Sequence, residues 1–156
     1  MATIVLVMRH AEKSPDLNDP HLTPAGVQRA NTLAKYILAH FGKPDFIFAT
    51  ANSLHSSRPL ETVFPLSQTI GVPIDQNYAD QDYGALANIL RGDEKYHNKS
   101  ILVCWHHGNI PGLLNALGAQ AGTYPNPWPN TTFNMIIKLT MDGHSVSEVK
   151  TMIEPF

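Results

Sequence analysis

The 156 residues are 43% hydrophobic and 15% charged, with a formal net charge of -2 at pH 7 and one cysteine. That balance excludes a disordered chain and sets the expectation of one globular domain over residues 1–156, large enough to bury its own core. The small negative charge gives no footing for nucleic acid or an anionic membrane as partner, and the lone Cys104 excludes a disulfide framework.

In chain order, Thr3 to Met8 is an unbroken run of β-branched and aliphatic residues, which predicts a buried strand ending at Arg9 and His10. The apolar runs fall short of the roughly 18 residues that span a bilayer. The first run also lacks the basic start and small-residue cleavage site of a signal peptide, so the expected location is the cytoplasm. A polar loop follows from Ala11 to Leu22. Thr23 is placed as an N-cap, with Pro24 at the first helical position, where its missing N–H costs nothing. Val27, Ala30, Ala34, Ile37, Leu38 and Phe41 then recur at helical spacing, and Gly42 closes the helix.

Asp45 to Ala49 predicts a short buried strand, and Pro59 to Ile70 a second helix ended by Gly71-Val72-Pro73. Tyr83 to Leu90 predicts a shorter helix, Ile101 to Trp105 a central strand, and Ile110 to Leu117 a helix stopped at Gly118. In Tyr124 to Asn130 alternating prolines stiffen the chain around Trp128. The expectation is a rigid connection whose Trp128 covers an edge of the core; a pocket wall and a docking segment are the alternatives. Thr132 to Thr140 and Ser145 to Lys150 predict two strands, joined in a hairpin by Met141-Asp142-Gly143-His144. Strand–helix alternation ending in a hairpin implies an α/β three-layer sandwich, with a mixed, mainly parallel sheet covered by helices on both faces.

Three strand ends carry polar groups. Arg9 and His10 end the first; the second leads into a loop that delivers Arg58 to a helix start; the third runs into His106, His107, Gly108 and Asn109. Ligands of open α/β proteins bind at the carboxyl ends of parallel strands, and helix starts add unpaired N–H groups. Two guanidinium forks and imidazoles placed there suit a phosphoryl group.

The blocks Met8-Arg9-His10-Ala11-Glu12-Lys13, Leu22-Thr23-Pro24-Ala25-Gly26, Ser57-Arg58-Pro59-Leu60-Glu61-Thr62 and His107-Gly108-Asn109 resemble the histidine phosphatase superfamily, whose fold is called phosphoglycerate mutase-like. The resemblance implies that His10 is a nucleophile forming a covalent phosphohistidine. Arg9, Arg58, His107 and Gly108 would bind the phosphate, with no metal and no cofactor. A small single-domain phosphatase acting on a phosphorylated small molecule or a phosphoprotein is the expected activity. A mutase and a non-catalytic phospholigand-binding module stay as alternatives, although the short stretch between Leu66 and Lys95 leaves little room for a mutase's insertions. Nothing in the sequence specifies an oligomeric state.

An in-line attack needs a neutral imidazole, and neighbouring cations lower the pKa of His10, which keeps it neutral into mildly acidic solution. The leaving oxygen needs a proton. Asp80 falls where the family places a carboxylic acid ahead of a Tyr-Gly-Ala-Leu stretch, here Tyr83 to Leu86; Asp82 and Glu12 are the alternatives. Strand alternation separates His106 from His107, and the resemblance turns His106 away from the pocket. Lys13 is expected in solvent, with the pocket rim as the alternative, and His55, near Arg58, is expected to touch the pocket.

Overall fold

The computed structural model describes residues 2–156. Strand β1 (Thr3–Arg9) lies near the centre of a six-stranded sheet that also contains β2 (Phe46–Ala49), β3 (Ile74–Asp75), β4 (Ser100–Trp105), β5 (Met135–Asp142) and β6 (Ser145–Ile153), in the order β3-β2-β4-β1-β5-β6. The first four strands run parallel, and β5 and β6 are antiparallel additions beside β1. Helices α1 (Pro24–His40) and α2 (Arg58–Ile70) cover one face; α3 (Tyr83–Gly92) and α4 (Ile110–Leu117) cover the other. This is the three-layer α/β arrangement the alternation predicts.

The period-two pattern of the strands assigns the two cores. Val5, Val7, Val103 and Trp105 face the α3–α4 layer, whereas Leu6, Met8, Leu102 and Cys104 face α1 and α2. Both faces are dry, which explains why β1 and β4 read as continuous apolar runs. Helix α1 starts as predicted: the Thr23 hydroxyl accepts from the Gly26 N–H at 3.1 Å, and Pro24 follows it. Gly26 is there for space, since a Cβ at that position would stand 2.5 Å from the Glu12 carbonyl oxygen.

Besides β6, which runs on past Lys150 to Ile153, three details differ from the sequence expectation. Strand β3 was not foreseen, because two residues at a sheet edge carry no periodicity. Strand β5 begins at Met135 rather than Thr132, since the Thr132 carbonyl turns away from the sheet to accept from the Trp128 indole N–H at 3.2 Å. The hairpin turn is Gly143-His144, because Asp142 still pairs with Ser145; Gly143 supplies the left-handed backbone at φ 61°. Trp128 is 2% exposed and packs into the α3–α4 core, covering its edge as expected, while Asn126 to Asn130 also line a pocket with His107, Gly108 and Pro111, so the pocket-wall alternative holds as well. No helix of the described residues is long and apolar enough to cross a membrane.

Candidate active site

The strand order sets β2, β4 and β1 side by side, so their three carboxyl ends open onto one edge. There the structure places Arg9, His10, Arg58, Asp80, His107 and Gly108 around a single cleft of about 550 Å³. Backbone pairing continues past the strands, with the His10 N–H donating to the Trp105 carbonyl and the Thr50 N–H to that of Cys104, each at 3.2 Å.

His10 is 2% exposed. Its Nδ1 lies 2.7 Å from the Ala11 carbonyl oxygen. A carbonyl accepts only, so Nδ1 carries the proton and the lone pair of the neutral ring sits on Nε2. The Ala11 peptide is itself held, its N–H donating to the Thr62 hydroxyl of α2 at 2.9 Å. Burial lowers the His10 pKa from 6.5 to about 3, with smaller lowering from His106, Arg9 and Arg58, against an opposing effect of the Ala11 hydrogen bond. The sequence argument credited the cations; desolvation is the larger cause.

Arg9 is held by carbonyls and a ring. Its Nη1 donates to the Asn130 carbonyl at 2.7 Å, and its guanidinium carbon sits 3.9 Å from the centre of the Phe133 ring. Arg58 opens α2 and donates from Nη1 to the Asp19 carbonyl at 2.8 Å. Burial, and for Arg9 the neighbouring Arg58, lower both guanidinium pKa values, that of Arg9 to about 10, and both stay charged at neutral pH. Among the described residues, three buried side-chain atoms have no hydrogen-bond partner: Arg9 Nε, Arg58 Nε and Asp80 Oδ1. All three belong to residues lining the cleft. Buried polar groups are rarely left unpaired, so two unpaired cationic donors and an unpaired carboxyl oxygen on residues that line one cleft mark it as a candidate receptor for a polar anion.

Asp80 stands at the start of a 3₁₀ turn (Asp80–Asp82) ahead of α3. Its backbone carbonyl accepts from the Trp105 indole N–H at 3.0 Å and from Asn109 Nδ2 at 3.4 Å, which ties the residue to the end of β4. The two alternatives lie elsewhere. Asp82 is exposed and lines no part of the cleft. Both Glu12 oxygens accept from Arg29 Nε at 3.0 Å, on the far side of the loop.

Two expectations about basic residues are corrected. His106 lines the cleft together with His107, and its ring meets that of His10 edge-on at 5.4 Å between centroids. Strand alternation separates the two only while the strand lasts, and β4 stops at Trp105 before a 3₁₀ turn over His107–Asn109. Lys13 is half-buried at the cleft wall rather than in solvent, because its backbone is bridged to Leu22. His55 touches the cleft, as expected. The His107 pKa is lowered by burial, then by Arg9 and Lys13, so its ring is neutral at pH 7 in the open cleft. The supporting carbonyls of Asp19, Asn130 and Thr132, and the Thr62 hydroxyl, gave no sequence signal.

The sequence matches no protein-family model and no curated protein. Solved structures do match. A protein histidine phosphatase, SixA, complexed with tungstate is similar at 18% identity, with 96% of each chain covered and a TM-score of 0.72. A mycobacterial glucosyl-3-phosphoglycerate phosphatase is similar at 14% identity, covering 99% of both chains with a TM-score of 0.65. A phosphoserine phosphatase of Entamoeba histolytica, in complex with phosphoserine, is similar at 16% identity over 94% of this chain and 96% of its own, with a TM-score of 0.62. The chain therefore has the α/β fold of histidine phosphatases, the fold its four sequence blocks imply.

Proposed function

We propose that the protein is a metal-independent phosphatase that hydrolyses a phosphomonoester or phosphoramidate through a covalent phosphohistidine on His10. The observation that carries this reading is the cleft's set of vacant donors beside a buried histidine whose lone pair is directed to Nε2. In the first step the Nε2 lone pair attacks phosphorus and the bond from phosphorus to the leaving group breaks. Arg9 and Arg58 hold the equatorial oxygens, and their fixed charge supplies the stabilisation that phosphoryl transfer chiefly needs. His107 and the Gly108 peptide extend that cradle, and the arriving anion raises the proton affinity of the His107 ring.

Asp80 is the group placed to pass a proton to the departing oxygen or nitrogen. In the second step water attacks phosphorus, Asp80 takes the water's proton, and the P–N bond electrons return to Nε2. The structurally similar phosphatases act on phosphohistidine, phosphoserine and a glucosyl phosphoglycerate, which supports a phosphorylated small molecule or protein side chain as substrate here.

The test is a rapid-quench reaction with a radiolabelled aryl phosphate. Label that stays on the protein in alkali, is lost in acid, and is absent from His10→Ala supports the mechanism. Turnover without such label overturns the covalent route. Tight phosphate binding with no turnover leaves a binding module instead.

A further inference from the structure

Beside the main cleft lies a second pocket of about 410 Å³, walled on its outer side by Asp16, Leu17 and Asn18. Its other three lining residues, Lys13, His55 and Arg58, also line the main cleft and form the partition between the two spaces. Charge on that partition is unbalanced. Among the described residues no carboxylate pairs with Lys13, Arg9 or Arg58. One acid, Asp16, stands on the outer wall of the side pocket, its Oδ1 turned to its own loop, where it accepts from the Asn18 N–H at 2.9 Å. Arg58 is 8% exposed with a vacant Nε, and it borders both spaces. A phosphoryl dianion on His10 would balance the two guanidinium groups, and among the described residues no carboxylate stands within ion-pair distance of Lys13.

We propose that the side pocket is a second anion subsite, in which Lys13 and His55 take a carboxylate or phosphate carried by the same substrate whose phosphoryl group meets His10. The inference rests on the phosphatase reading and narrows it to substrates with two acidic groups. Lys13 reaches the subsite because its backbone is fixed by the bridge to Leu22, with its side chain laid along the partition. Burial, then Arg58 and Arg9, already lower its pKa, so an added anion relieves that strain on the ammonium.

The test uses non-hydrolysable probes, so that it reads the subsite even if turnover fails. A series of ω-carboxyalkylphosphonates of increasing chain length, their methyl esters, and the matching α,ω-bisphosphonates are titrated calorimetrically into the wild type, Lys13→Met and His55→Gln. The acid is expected to bind about tenfold tighter than its ester at one preferred length, and that preference is expected to vanish in Lys13→Met. The stronger of the carboxylate and bisphosphonate series identifies the group the subsite takes. Equal binding of acid and ester at every length overturns the proposal, as does a preference that survives Lys13→Met. Absence of label or turnover with an aryl phosphate refutes the phosphatase reading by itself, since the phosphonate titrations involve no chemistry.

Discussion

The neutrality of His10 is a thermodynamic statement, and replacing the residue exposes it. An unfolded chain protonates the ring near pH 6.5, whereas the folded protein holds it neutral down to about pH 3. Between those values the unfolded state binds one proton more, so acidification erodes stability by about 1.4 kcal/mol per pH unit, and by about 5 kcal/mol in all. The native protein is fully supported by this group above pH 6.5 and has lost that support once pH falls through about 3. Glu154 acts in the opposite sense. It is 3% exposed, and burial raises its pKa from 4.5 to about 7 despite Arg29, so acidification through that window favours the folded state. The two slopes nearly cancel between pH 4.5 and 6.5 in the wild type, which hides both.

His10→Gln separates them, because Glu154 and the other groups that do not touch His10 contribute equally to the wild type and the variant. Urea unfolding of both proteins at about pH 6.5 and about pH 4.5 is expected to show their stability difference changing by about 2 kcal/mol, with the wild type losing ground at low pH. The His10 ring signal in a carbon–proton NMR titration is expected to stay in its neutral position across the same range. A stability difference independent of pH, together with an NMR midpoint near 6.5, refutes the reasoning. His10 would then be substantially protonated in mildly acidic solution, where the proposed attack requires a free lone pair.

Four substitutions test the remaining architecture. Arg58→Lys keeps the charge but loses the fork that reaches both the Asp19 carbonyl and the anion, and kcat for an aryl phosphate is expected to fall about a hundredfold or more. Asp80→Asn is expected to slow alkyl phosphates by about 10²–10⁴ while barely affecting aryl phosphates of acidic phenols, measured as the ratio of the two rates. Thr62→Val strands the Ala11 N–H in the core, with an expected cost of about 1–3 kcal/mol in urea unfolding and a lower kcat as the Ala11 carbonyl loosens its hold on His10. Gly26→Ala drives a methyl against the Glu12 carbonyl and is expected to destabilise by about 1–3 kcal/mol in the same assay.

What the sequence revealed follows from which interactions carry residue identity. Strands β1 and β4 were legible because burial on both faces demands unbroken apolar runs, and α1 because a Thr-Pro start has a local capping mechanism. Arg9, His10, Arg58, Asp80 and His107 were legible because strand ends and helix starts fix where such residues go. His106 was misplaced since the alternation rule was carried one residue beyond β4, into a turn with a different period. Asn130 and Thr132 were invisible for a deeper reason. They act on Arg9 through backbone carbonyls from more than a hundred positions away, and a carbonyl has no letter in the sequence.

That reliance on carbonyls has a functional consequence. A carboxylate beside Arg9 would orient the guanidinium equally well, but it would neutralise the charge and compete with an incoming phosphoryl group for the same donors. The Asn130 and Asp19 carbonyls and the face of Phe133 orient the two arginines without a direct ion pair, although Glu12 acts on Arg9, and Asp19 and Glu61 on Arg58, from a distance. The glutamates of this end of the molecule are engaged instead with partners behind the cleft: Glu12 and Glu154 with Arg29, and Glu61 with Ser57 and His21. Pairing these three glutamates with Arg29, Ser57 and His21 rather than with Arg9 or Arg58 lets the burial that keeps His10 neutral coexist with two charged guanidinium groups. In the proposed phosphatase, an entering phosphoryl group recovers the cost of desolvating those cations.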